Sequence, residues 1–204
     1  FLNELRPVYI YPEFDETMEL NMAVSPEKIE RLLEEHKEVQ AVVLTSPTYD
    51  GVLSDIERIS EIVHQKKIPL IVDEAHGAHF GFHPYFPENA NTKGADVVIH
   101  SLHKTLPALT QTALIHLNGT RIDRRKIRNY LHIFQTSSPS YVLMASMDEC
   151  LRTVAEQGDV LFETYVKNLE SKRELAGVSG VYFHGICVFV SAGNSAYRSG
   201  GTDH

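Results

Sequence analysis

The sequence predicts an α/β fold built on a mostly parallel sheet with helices on both faces. Three observations predict it: short β-branched runs recur along the chain, amphipathic stretches at helical spacing lie between them, and most of the runs are apolar throughout instead of alternating. Strands are read at 7–11, 41–45, 69–72, 97–100 and 112–117, each ended by polar or turn residues. Strands without a polar side need cover above and below, and this is the reason to expect helices on both faces.

Between the first two runs, Ser25-Pro26-Glu27 offers an N-cap, a proline in the first turn and an early carboxylate, with Ile29, Leu32 and Leu33 following at helical spacing. A second helix starts near Ser54 and carries Ile56, Ile59, Ile62 and Val63 on one stripe. It ends at Lys66-Lys67, whose charges suit the negative end of a helix dipole. Beyond the turn Asn118-Gly119, helical patterns at 123–134, 140–156 and 160–175 read as connecting and dimer-facing helices. From Gly177 the character changes to Gly and Ser punctuation around Ile186-Cys187-Val188-Phe189-Val190. Residues 1–176 therefore read as part of one large domain and 177–204 as an atypical or truncated tail.

With 204 residues, a net charge of −8, 43% hydrophobic and 23% charged residues, the chain has the profile of a soluble globular protein with a real core. Its acidic balance argues against general nucleic-acid or anionic-membrane binding, which needs a basic face to neutralise phosphates. The basic run from Arg121 to Arg128 is short. Cys150 and Cys187 lack CxxC spacing, so they signal neither a disulfide framework nor a zinc knuckle, and a reducing cytoplasm is the expected location. No apolar run approaches the roughly 18 residues that span a bilayer. Phe1-Leu2-Asn3-Glu4 is neither a signal-peptide start nor an initiator Met, and the chain is expected to lack a preceding part.

The segment Leu70-Ile71-Val72-Asp73-Glu74-Ala75-His76-Gly77 is a buried-type strand that ends on an acid and opens into a small-residue loop. In open α/β sheets, ligands sit outside the carboxyl ends of strands, which places Asp73 where a ligand would be. A second segment, Val97-Val98-Ile99-His100-Ser101-Leu102-His103-Lys104, repeats the geometry with a hydroxyl, an imidazole and an amine. Alone, a strand-end Asp is as well explained as a helix cap, and a lone Lys as a solvated charge. Together the two segments match what pyridoxal phosphate needs. An acid beside its pyridine nitrogen keeps the nitrogen protonated, and a partly desolvated lysine can attack its aldehyde. Asp73 and Lys104 are the candidates for these roles. Ser101 and His103 can bond the phosphate, and Ala75 is small enough for a flat ring to approach.

Asp73-Glu74-Ala75-His76-Gly77-Ala78-His79 followed by Ser101-Leu102-His103-Lys104 resembles the ornithine/lysine/arginine decarboxylase family of fold type I pyridoxal-phosphate enzymes. The likeness takes in Thr45-Ser46-Pro47-Thr48-Tyr49-Asp50-Gly51, Gln111-Thr112-Ala113 and Thr136-Ser137-Ser138-Pro139-Ser140-Tyr141. It implies an incomplete pyridoxal-phosphate-dependent transferase-like large domain, with Lys104 as the Schiff-base lysine and Asp73 on the pyridine nitrogen. Ala75, His76, Thr48, Ser101 and His103 would line the cofactor, and Thr136 and Ser137 would reach the site of a partner subunit in a homodimer. The implied reaction turns lysine, ornithine or arginine into a polyamine-type amine and CO2, with His76 as proton donor or positioning group. A basic substrate wants an acidic pocket, for which Glu74 and Asp50 are candidates. The resemblance also implies that the loop gripping the phosphate and the aromatic stacking on the ring precede Phe1. The chain as written is therefore expected to bind cofactor weakly and to have little activity.

Other readings compete. Asp73-Glu74-Ala75-His76 matches a helicase box, but no Gly-x-x-x-x-Gly-Lys-Ser/Thr loop accompanies it. His76, His79, His100 and His103 resemble a metal quartet, yet residues three apart share a face on helices and not in strands or tight loops. No metal is expected. An aminotransferase or aldolase shares the Asp and Lys logic, and the His directly before Lys104 favours the decarboxylases. A non-catalytic remnant or interaction module is the alternative outside enzymes.

Overall fold

The computed structural model describes residues 5–175 together with Val190–Ser191. A small antiparallel hairpin opens the fold, β1 (Phe14–Asp15) pairing with β2 (Leu20–Asn21). Helix α1 (Pro26–Glu35) follows, its first turn held by the Ser25 hydroxyl, which accepts from the Lys28 amide at 3.2 Å. Strand β3 (Val42–Thr45), short β4 (Val52–Leu53) and helix α2 (Ile56–Gln65) come next. The cap of α2 is Asp55, one residue beyond the expected Ser54, accepting from the Arg58 amide at 3.1 Å. Such caps contribute about 1 kcal/mol each. Then come β5 (Leu70–Asp73), β6 (Val97–Ser101), the short helix α3 (Leu102–Thr105) and β7 (Ala113–Leu117). Two long helices follow, α4 (Arg124–Phe134) and α5 (Tyr141–Leu175), and β8 (Val190–Ser191) pairs in parallel with β4.

The central sheet has four strands in the order β3-β5-β6-β7. The first three are parallel, and β7 runs antiparallel to β6. The expected α/β fold with a mostly parallel sheet is therefore present. Helices α1 and α2 bring Ile29, Leu33, Ile56, Ile59, Ile62 and Val63 onto one face, against Val42, Leu44, Leu70, Val72 and Val98. Residues that alternate to the opposite face are less covered: Val43 is 64% and Ile115 38% exposed. Helices α3 and α5 meet in a second cluster of Leu102, Leu106, Ala78 and Cys150.

Two expectations about elements are corrected. Residues 7–11 form no strand. Pro7 and Pro12 bracket them without amide donors, Val8, Tyr9 and Tyr11 are exposed, and Ile10 packs on the core from an irregular segment. The patterns at 140–156 and 160–175 are one helix of 35 residues. Gly158 does not interrupt it, because the helix is clamped on both sides, by Cys150 and Val154 before it and Phe162 and Val166 after it. Packing there outweighs the roughly 1 kcal/mol that an interior glycine costs a helix. The tail assigned to 177–204, including Cys187, lies outside the described residues apart from Val190 and Ser191.

Candidate active site

β5 and β6 end side by side, with Asp73 in register with Ile99, so Asp73 and Ser101 stand at neighbouring carboxyl ends. The Asp73 carboxylate accepts the Ala75 amide at 3.1 Å, which bends the chain sharply out of the sheet. This cap and a cofactor-facing role are compatible, since a carboxylate has lone pairs for several donors. Ala75 itself is buried.

The turn after Asp73 delivers His76 to Lys104. Their Nε2 and Nζ atoms are 3.1 Å apart. An ammonium donates and never accepts, so His76 receives on Nε2 and, when neutral, carries its proton on Nδ1. Burial pushes the His76 pKa below its ordinary value and the Lys104 charge adds to this, while Asp73 works in the opposite direction. The edge of the Tyr49 ring meets His76 at 5.5 Å and 85°. Tyr49 sits on a turn held by Thr48, whose hydroxyl accepts the Val52 amide at 3.1 Å.

α3 raises His103 and Lys104 directly from the end of β6. Nδ1 of His103 donates to the Thr112 carbonyl at 3.0 Å, which fixes the ring against the start of β7. Ser101 stands at the N-cap of α3 but makes no side-chain cap bond there. Beside Lys104 is a cavity of about 340 Å³, lined among others by His79, Phe86, Leu106, Phe162 and Tyr165.

The structure thus brings Asp73, Ala75, His76, Ser101, His103 and Lys104 to one end of the sheet, with Thr48 on the adjoining loop. Thr136 and Ser137 lie in the exposed loop between α4 and α5, where Thr136 bonds to Ser138. Among the described residues no hydrogen bond ties that loop to Asp73, His76 or Lys104. Glu74, a candidate for the substrate's acidic pocket, faces the wrong way. It is 2% exposed, both carboxylate oxygens accept the Ala90 amide at 3.1 Å, and His100 Nε2 is 2.8 Å away. The histidines do not converge either: His79 packs among Phe80 and Phe86, and His100 points to Glu74. Among the described residues no group of three or more metal-ligating side chains is placed to hold an ion, and no helix is long and apolar enough to cross a membrane.

Sequence reading missed the row behind the site, Glu74, His100 and His116, the first two buried and the third half-buried. The available signal is the two-residue period: Glu74 adjoins Asp73 and His100 adjoins Ser101, so both must turn to the opposite face once the strands pair.

The sheet presents an acid at the end of β5 and a lysine just beyond the end of β6, and the fold has a counterpart among solved structures. The crystal structure of alanine–glyoxylate aminotransferase from a Nostoc species superposes with a TM-score of 0.59 and 19% identity, over 77% of this chain and 46% of that one. The sequence matches the family described as Orn/Lys/Arg decarboxylase, major domain, over residues 1–187, and the chain belongs to that family. It is 44% identical to the Bacillus subtilis protein YaaO over 72% of this chain and 31% of that protein. It is 33% identical to an arginine decarboxylase of Bacillus subtilis over 86% of this chain and 36% of that enzyme. A lysine decarboxylase of Pseudomonas aeruginosa is 29% identical over 69% of the chain and 20% of that enzyme. The chain spans about a third of the length of the first of these relatives.

Proposed function

We propose that the polypeptide carrying this chain is a cytoplasmic decarboxylase that converts lysine, ornithine or arginine to the corresponding amine and CO2, with pyridoxal 5'-phosphate as cofactor. The observation that carries the reading is the juxtaposition of Lys104 with His76, 3.1 Å apart, beside the strand end that bears Asp73. The donor set fits the cofactor. Asp73 would hold the pyridine nitrogen, Ser101, His103 and Thr48 would hold phosphate oxygens, and Ala75 and His76 would flank the ring. Bound there, pyridoxal phosphate supplies an electron sink for the pair left on Cα when CO2 departs.

The chain's own residues supply the rest. Lys104 must shed a proton before its Nζ can act as a nucleophile, and His76 Nε2 is placed to take it. Burial lowers the affinity of His76 for that proton, which favours passing it on to solvent. The same imidazole can then return a proton to Cα. Names of relatives favour arginine or lysine, and with Glu74 turned to the core, Asp50 is the remaining candidate acid near the site.

The Thr136-Ser137 loop serves a partner subunit in this reading. The exposed Ile133, Phe134, Tyr141 and Val142 that flank it support a homodimer. Residues 1–176 act as part of the cofactor domain, with 177–204 as an atypical tail. The test is reduction with borohydride after incubation with pyridoxal phosphate, followed by peptide mass mapping and CO2 release from the three amino acids. A cofactor mass on Lys104, absent in Lys104→Ala, is the expected result. A cofactor mass on another lysine would overturn the reading, and amino transfer without CO2 release would assign the fold to a transaminase.

A further inference from the structure

The row Glu74-His100-His116, buried at its first two members and half-buried at His116, has no part in the chemistry above, yet it lies directly beneath it. Asp73 pairs with Ile99 across β5 and β6, so the next positions on each strand, Glu74 and His100, also stand side by side. Their side chains point away from the site, Glu74 2% and His100 7% exposed. His100 Nε2 meets a Glu74 oxygen at 2.8 Å, and His116 Nε2 on β7 meets His100 Nδ1 at 3.1 Å. An ionised carboxylate only accepts, so its charge orders every proton in the row: His100 donates through Nε2 and His116 donates to the Nδ1 left bare. Glu74 is also clamped from the loop side by the Ala90 amide, and from above by Gly77, where a Cβ would come within 2.6 Å of Glu74 Cγ.

We infer that Glu74 and His100 are positioning residues, a proton-ordered lock that holds the ends of β5 and β6, and with them Asp73, Ser101, His103 and Lys104, in one register for the cofactor. The row spans β6 and β7 as well as the end of β5, the three segments that bear Asp73, Ser101 and the Thr112 carbonyl that fixes His103. Removing the carboxylate strands a buried imidazole and frees the Ala90 amide, whereas glutamine satisfies both. Its oxygen takes the Ala90 amide and its NH2 donates to His100 Nε2, which reverses the tautomers of His100 and His116 without moving the strands.

This inference rests on the cofactor reading for its purpose but not for its geometry, and two readouts keep them apart. In the cofactor-free chain, amide exchange at Ser46 and Leu102 reports the strand ends, since these amides bond Asp73 and Thr112 carbonyls. Leu70, at the other end of the sheet, is the control. Glu74→Ala should speed exchange at Ser46 and Leu102 at least tenfold and leave Leu70 unchanged, while Glu74→Gln should stay near the parent and show the reversed tautomers by nitrogen NMR. With pyridoxal phosphate, the concentration that half-fills Lys104 should rise at least tenfold in Glu74→Ala and return to within about threefold in Glu74→Gln. Unchanged exchange at Ser46 and Leu102 in a folded Glu74→Ala chain would overturn the lock. Unchanged cofactor capture with loosened strand ends would overturn its positioning role. If the parent chain captures no cofactor on Lys104, the functional reading fails and the exchange result still decides the lock.

Discussion

The two ends of the central sheet are built from the same kinds of residue and used differently. At the amino end, Asp96 is a buried carboxylate whose every contact is structural: it accepts the Leu70 amide at 2.9 Å, His64 Nε2 at 2.8 Å and Arg121 at 3.1 Å. Burial alone would raise its pKa, but the Leu70 amide, His64 and Arg121 outweigh that and hold it below the ordinary carboxylate range. At the carboxyl end, Asp73 makes one side-chain hydrogen bond among the described residues and stays half-buried, with Lys104 exposed and His76 between solvent and core. A carboxylate saturated with donors stabilises the fold and has nothing left for a ligand. One left partly open retains that capacity and contributes less to stability.

The sharpest way to break this comparison is Lys104→Ala, which should abolish covalent capture of pyridoxal phosphate while changing denaturant-measured stability by no more than about 0.5 kcal/mol. A loss of several kcal/mol would show that the carboxyl end is structural as well. Next in size is Asp96→Ala, expected to cost about 2–4 kcal/mol because it leaves the buried Leu70 amide, His64 and the Arg121 guanidinium without their acceptor. The folded fraction should still capture cofactor on Lys104.

Acid separates the ends further. His79, in the aromatic cluster behind the site, is held down to about 4 from 6.5 by burial, with the neighbouring His100 acting in the same direction. The unfolded chain therefore binds the extra proton first, and stability should fall as pH drops from about 6.5 toward 4, by an amount on the order of 3 kcal/mol. Asp96 is lowered as well, but from a carboxylate's range, so its contribution is present above about pH 4 and is lost only below it. Urea midpoints measured across pH 7 to 4 in the parent and in His79→Phe should show a slope that the variant lacks. The same slope in both would assign the acid sensitivity elsewhere. Gly158→Ala is the smallest change: the new Cβ meets Val154 at 3.6 Å and Phe162 at 3.9 Å, ordinary contacts. A gain of about 0.5–1 kcal/mol is expected with cofactor capture unaltered, and a loss of capture would tie α5 to the chemistry.

Much of the fold could be read from pattern. The apolar runs at 41–45, 69–72, 97–100 and 112–117 match β3, β5, β6 and β7 to within a residue or so, because a buried strand needs a continuous apolar string and a turn to end it. The run at 7–11 has the same composition and no strand, since strand formation needs a partner edge and local hydrophobicity cannot supply one. Gly158 resembles a break and lies inside a helix for the parallel reason, with packing on either side deciding the matter.

By itself, the sequence determined which residues stand at the carboxyl ends of β5 and β6, because a strand followed by a small-residue turn places its last side chain at the sheet's rim whatever else the chain does. It also carried the family signal in the order of Asp73, His76, Ser101, His103 and Lys104. Only the tertiary structure decided which acids are available to a ligand. Asp73, Glu74 and Asp96 have similar chemistry, and what separates them is the strand register and the alternation of side chains across it. Those send Glu74 to His100 and Asp96 to His64 and Arg121, and leave Asp73 at the mouth of the site.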